Sequence, residues 1–142
     1  MINSTNYIKL ATNTEAPITS EMKERIQSDS NIRLLHAGIG MATESGEFLD
    51  AIKKHIYYGR PLDKVNLAEE TQDLCWYIAI ALDELGLSFD EALTTNIKKL
   101  QARYPNNFTE FHAENRDLET ERKILDGDCG KCEASDICKG EM

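Results

Sequence analysis

Apolar residues recur at helical spacing over most of this chain, and no stretch shows the two-residue alternation of a half-buried strand. From about Ile32 to Tyr57 one stripe runs through Leu34, Met41, Phe48, Ile52 and Ile56. From about Leu67 to Leu85 a second runs through Leu67, Leu74, Tyr77, Ile78, Ala81 and Leu85, and its centre, Leu74 to Leu82, is apolar nearly all the way round. A helix in a small bundle buries one side only. This one is therefore expected to have neighbours on several sides, either in an oligomer with Cys75, Trp76 or Ile80 near the interface, or at the centre of a well-covered monomer.

Start and stop signals divide the chain. Pro17 with Thr19 and Ser20 opens a short helix whose apolar side is Met22 and Ile26. Asp29-Ser30-Asn31 caps the next helix, and Gly59-Arg60-Pro61 ends it. Asn66-x-x-Glu69 has the form of a capping box for the helix that follows. Gly86 stops that helix, and Ser88-x-x-Glu91 is a capping box for another, with Leu93, Ile97 and Leu100 as its stripe. Pro105 disfavours helical geometry at Tyr104 and closes the element. From Asn107 to about Leu125 the pattern is helical but highly charged, with Phe108, Phe111, Leu118 and Leu125 as apolar contacts. The predicted fold is all-α, a four-to-five-helix bundle over residues 17–125. Residues 1–16 are expected to form an arm, with Tyr7, Ile8 and Leu10 as its anchor, and residues 126–142 a cysteine-containing tail.

Composition narrows the functions open to such a bundle. The 142 residues are enough for one domain with a real core. A net charge of −9 makes a poor non-specific binder of DNA or of an anionic membrane. No apolar run approaches membrane-spanning length, and the N-terminus lacks the basic and apolar regions of a secretory signal. A soluble, cytoplasmic protein is expected. The four cysteines form no disulfide framework: Cys75 sits in an apolar helix, where a reduced thiol behaves as a small hydrophobe. Cys129, Cys132 and Cys138 cluster near the end. A structural zinc site there would need a fourth ligand, from His112 or another subunit; the alternative is a flexible tail with free thiols.

The acids of the central region carry the candidate chemistry. Glu44-x-x-Glu47 and Glu70-x-x-Asp73 each place two carboxylates about one turn apart on one helix face. Both pairs border an apolar stripe, and Ala37, Gly40 and Ala51 lie beside the first. A purely solvating acid belongs opposite the core. Two such helices laid antiparallel would point four carboxylates into one small volume, where they repel unless a hard cation such as Mg²⁺ or Mn²⁺ sits between them. The plainer reading is two half-exposed pairs and acids that complement a helix dipole. Asn96, Lys99 and Arg103 border the stripe of a third helix, and Lys54 follows Glu47 by two turns on the same face, next to Lys53. Hard-metal ligands facing cations suit a phosphate chain. Trp76 could stack on a base, although a core or interface position suits it better, and the absence of a Glu-x-x-His motif argues against a di-iron bundle.

Three ordered motifs, Gly40-Met-Ala-Thr-Glu-Ser-Gly-Glu47, Glu69-Glu-Thr-Gln-Asp73-Leu-Cys-Trp-Tyr77 and Asn96-x-x-Lys99-Leu-x-x-Arg103-Tyr-Pro105, resemble the MazG-like all-α nucleoside triphosphate pyrophosphohydrolases. The resemblance spans roughly residues 31–108 and is strongest to compact, often phage-encoded, single-domain members, which would place the protein in a host cytoplasm. It implies Mg²⁺-dependent hydrolysis of a (d)NTP to the monophosphate and pyrophosphate by water attack at the α-phosphorus, with deoxynucleotides favoured, in pool control or the supply of modified-DNA precursors. It also implies Glu44, Glu47, Glu70 and Asp73 as metal ligands; Lys54, Asn96, Lys99, Arg103 and Tyr104 as substrate contacts; and a homodimer or homotetramer. One departure is Thr43, where many members have a further acid; Asp50 or Glu69 is a candidate substitute in activating water. Thr43 also keeps open the alternative of a non-catalytic nucleotide-binding or protein-interaction module.

Overall fold

The computed structural model describes residues 4–127, and among them it is entirely helical, with seven helices and no strand. The all-α expectation holds. The described backbone forms two compact units that divide between Glu84 and Leu85, and Cys129, Cys132 and Cys138 lie outside the described residues.

In the first unit α1 (Ser4–Thr12) gives the expected arm a helix of its own, on which Tyr7, Ile8 and Leu10 stay exposed. α2 (Ser20–Ile26) begins where expected because the Thr19 side chain accepts from the Met22 N–H. α3 (Asp29–Tyr58) starts earlier than its apolar pattern suggests: Ser28, rather than Asp29–Asn31, caps it by accepting from the Asn31 N–H. Gly59, in the left-handed region at φ 65°, ends it. α4 (Lys64–Glu84) also starts early. Its cap is Asp63, whose Oδ1 accepts from the Val65 and Asn66 N–H groups at 3.1 Å each. Asn66 is therefore inside the helix, and the Asn66–Glu69 box is not what begins it.

α3 and α4 pack as an antiparallel pair in constant register. Arg33 reaches Asp83 and Glu84 at 2.6 and 2.7 Å at one end, Tyr77 lies over Gly40 in the middle, and Glu44 meets Glu70 towards the other end. Close approach is possible because the facing residues are small: Ala37 is fully buried and Gly40 is buried. A Cβ built on Gly40 would fall within the Tyr77 ring. The helix cost of this glycine, about 1 kcal/mol relative to alanine, is offset by a ring laid directly on backbone. His36, Trp76 and Tyr77 meet edge-on around it, with ring centroids 4.8 to 6.1 Å apart.

The opposite face of α3 is also apolar. Ile32, Leu35, Ile39, Leu49 and Ile56 are exposed; with Ala42 and Gly46 between them, positions 32 to 49 follow alternating steps of three and four, the spacing of a helix–helix seam, and Ile56 lies a further seven residues on, past Lys53. Ile56, expected on the inner stripe, belongs to this outer one. On α4, Cys75 is exposed and Trp76 is 55% exposed, so the described residues leave part of this apolar helix uncovered.

The second unit holds α5 (Phe89–Arg103), α6 (Glu110–Glu114) and α7 (Leu118–Leu125). The Ser88–Glu91 capping box is formed in both directions. The charged stretch expected as one helix is two, because Thr109 and Asp117 each cap a new start. α7 packs on α5.

Gly40→Ala should destabilise the chain by about 1–3 kcal/mol in denaturant melts, since Tyr77 must move. Gly38→Ala, where an added Cβ meets nothing within 4 Å, should instead be neutral or gain up to about 1 kcal/mol.

Candidate metal and phosphate site

The α3–α4 register brings carboxylates together. Glu44, Glu47 and Glu70 each offer an oxygen, and the three lie within 4.8 Å of one another. Glu70 is only 5% exposed, Glu44 is half-buried and Glu47 is exposed. Asp73 is one turn beyond Glu70 and exposed, outside this group of three, yet its charge acts on Glu44.

Few donors serve these acids. Asn66 Nδ2 donates to Glu70 Oε1 at 2.6 Å, one helical turn away. The Thr43 hydroxyl lies 2.9 Å from the Gly40 carbonyl oxygen and 3.2 Å from Glu44 Oε1, with one proton to give. Desolvation pushes the Glu44 carboxyl above its ordinary value; the Thr43 hydroxyl opposes this, while Glu70, Glu47 and Asp73 add to it. Burying a carboxylate without a cation is costly. Three hard oxygen donors at this spacing are what Mg²⁺ or Mn²⁺ would use after small side-chain adjustments, so the donor set fits a divalent metal.

The cluster opens onto a cleft of about 710 Å³ that includes Thr43, Glu47, Lys54, Arg60, Asn66 and Glu70 in its walls. Asp50 also lines it, but its carboxylate is held by Lys53 and by Lys54 at 2.6 Å. Those two lysines lower it to about 2, which makes Asp50 a weak base near neutrality. Glu69 is exposed and does not line the cleft.

The expected residues of the third motif lie in the second unit. Asn96 and Lys99 share a cleft of about 210 Å³ with Thr95 and Leu125. Arg103 is turned instead towards α7, where its Nε and Nη2 donate to the two oxygens of Glu121 at 2.8 and 2.6 Å. Arg116 Nη2 reaches the same carboxylate at 2.6 Å. Tyr104 is the C-cap of α5, half-buried, with its ring 5.4 Å from that of Phe108 and 5.8 Å from the Arg103 guanidinium carbon. His112, the candidate fourth zinc ligand, has a buried Nδ1 with no hydrogen-bond partner among the described residues; Cys129, Cys132 and Cys138 lie outside them.

Sequence reasoning passed over Asn66, Arg60 and Glu121. Asn66 stands four residues before Glu70, a spacing that pairs side chains on a helix, but its resemblance to an N-cap hid this. Arg60 was visible only as part of a stop signal. Glu121 has no local signal, because Arg103 is 18 residues away and Arg116, five residues away, lies before the helix rather than at a helical spacing within it.

The chain is thus an all-α protein in which two central helices gather three carboxylates at the edge of a cleft, a donor set that suits a hard divalent metal. The family model for the MazG nucleotide pyrophosphohydrolase domain matches residues 36–108, half of the chain, and the chain belongs to that metal-dependent family. No curated protein and no solved structure matches the chain.

Glu121 is 4% exposed, and Arg103, then Arg116, lower its carboxyl from 4.5 to about 2. A depressed acid stabilises the fold above its unfolded value and loses that contribution as pH falls towards the folded one. Wild-type stability should therefore drop between about pH 4.5 and 2 more steeply than that of Glu121→Gln, which should be the weaker protein at pH 7. Equal acid profiles in pH-dependent urea melts would refute the assignment.

Proposed function

We propose that the protein hydrolyses a nucleoside triphosphate, a deoxynucleotide by preference, to the monophosphate and pyrophosphate with Mg²⁺ held by Glu44, Glu47, Glu70 and Asp73. The observation that carries this reading is the buried Glu70 carboxylate facing Glu44 and Glu47 with too few hydrogen-bond donors. A bound divalent ion would neutralise that cluster, polarise phosphoryl oxygens and lower the pKa of bound water. Asn66 orients Glu70, as outer donors orient metal ligands. Lys54, Asn96, Lys99, Arg103 and Tyr104 are assigned to sugar and phosphates. For Arg103 this role uses the guanidinium as Glu121 holds it, with Nη1 left over from the two bonds to that carboxylate.

Incubation with the eight common NTPs and dNTPs, with Mg²⁺ and with EDTA, should give monophosphate and pyrophosphate from a subset, and nothing with EDTA. Glu47→Gln and Asp73→Asn should each lower turnover about a hundredfold or more while leaving helix content unchanged. Full turnover in either variant would remove that residue from the metal site. Thr43, which supplies a hydroxyl where a further acid would make a base, favours a second reading, a nucleotide-binding module without turnover; Mg²⁺-dependent binding with no product would support it.

The proposed assembly is a homodimer or homotetramer. Its support is the apolar seam on the outer face of α3 together with Trp76 on α4, surfaces that a chain of this size does not ordinarily leave to water. Light scattering should give two or four chain masses, and Leu35→Glu with Ile39→Glu should reduce the mass to one chain or unfold the protein. A wild-type monomer with native helix content would overturn the assembly.

A further inference from the structure

The cleft beside the carboxylates has two cations in its lining, Lys54 and Arg60, together with Asp50 and Asp63, and Arg60 lies outside the three motifs. Arg60 lies in the α3–α4 connection and lines the cleft. Its backbone is pinned from three sides: its N–H donates to the Lys54 carbonyl at 3.3 Å, its carbonyl accepts from His55 Nδ1 at 2.8 Å, and Pro61 follows. Gly59 in the left-handed region turns the chain into this position. The guanidinium, by contrast, has no ionic or hydrogen-bond partner among the described residues. Lys54, the other cation well placed along α3, already holds Asp50 at 2.6 Å. Only one of the two cations is thus free to meet an anion at no internal cost.

The geometry also gives the cleft a direction. Going along α3 from Glu47 to Lys54 is about 10 Å at 1.5 Å per residue, comparable with the length of a triphosphate chain, and Arg60 follows at the far end. We propose that Arg60 is a further substrate-binding residue, taking the β- and γ-phosphates, the part that leaves as pyrophosphate, while the α-phosphate lies at the carboxylates. This rests on the triphosphate reading of the cleft. The planar fork of arginine suits two phosphate oxygens at once.

The test uses the full chain and two probes, inorganic tripolyphosphate and a nucleoside monophosphate, titrated calorimetrically with Mg²⁺. Arg60→Ala should weaken tripolyphosphate binding about tenfold or more, with Arg60→Lys intermediate, and raise KM for the triphosphate in step. Binding of the monophosphate should change less than twofold. Arg60 is exposed and its side chain makes no hydrogen bond or ion pair among the described residues, so melting should be little altered; Arg60→Gln is the control should the alanine variant fold poorly. Unchanged tripolyphosphate binding, equal loss for both probes, or a wild type that binds no tripolyphosphate would each overturn the assignment. If the wild type releases no pyrophosphate from any triphosphate but binds tripolyphosphate through Arg60, the hydrolytic reading fails and the phosphate-binding role stands.

Discussion

The constraint on which the α3–α4 pair turns is a carboxylate placed where water is scarce. Glu70 is buried in the helix seam opposite Glu44 and Glu47, and like charges at that spacing oppose the packing that brings them together. The rest of the pair holds them in spite of this. Ala37 and Gly40 let the helices close, Tyr77 fills the space over Gly40, and Arg33 ties the far end to Asp83 and Glu84. Exposed ion pairs of that kind contribute only about 0.2–1 kcal/mol each, so the small residues and the tyrosine do most of the holding. The strain is left at the acid end. There Glu44 is pushed towards its neutral form, the response expected of a carboxyl that lacks a cation.

A second buried carboxylate in the same chain shows what a structural acid looks like. Glu121 is as buried as Glu70, but two guanidiniums meet its oxygens and hold it ionised. Glu70 has one neutral amide and another acid. Burial alone does not separate the two; the charge of their neighbours does. One acid is complete within the chain, and the other would be completed by the divalent ion proposed above.

Much of this was readable from sequence because helices report themselves through period and punctuation. Thr19, Ser88 with Glu91, and Gly59 marked element ends that the structure keeps, and the edge position of Glu44, Glu47 and Glu70 followed from their place on the helical wheel. The errors have a common physical origin. Asn66 looked like a cap because Asn followed three residues later by Glu is a capping pattern, yet Asp63 was better placed to take two N–H groups and Asn66 was left to serve Glu70. Ile56 was assigned to the inner stripe because a long helix drifts relative to a seven-residue repeat. Arg103 was legible as a cation at a stripe edge, but its hold by Glu121 depends on how α7 returns to α5, which no local pattern specifies.

The two faces of α3 make the site and the proposed assembly parts of one problem. Glu44 and Glu47 face α4, while Ile32, Leu35, Ile39 and Leu49 line the opposite side of the same rigid rod. A helix cannot rotate to improve one contact without displacing the other, because 3.6 residues per turn fixes the angle between them. Repulsion among the acids pushes α3 and α4 apart; covering the outer stripe in the proposed assembly would resist that by fixing α3 from behind. Gly46 illustrates the economy of this arrangement. It belongs to the outer seam, also lines the cleft, and has open space where a Cβ would be, so it narrows α3 where a ligand and a second helix would both approach.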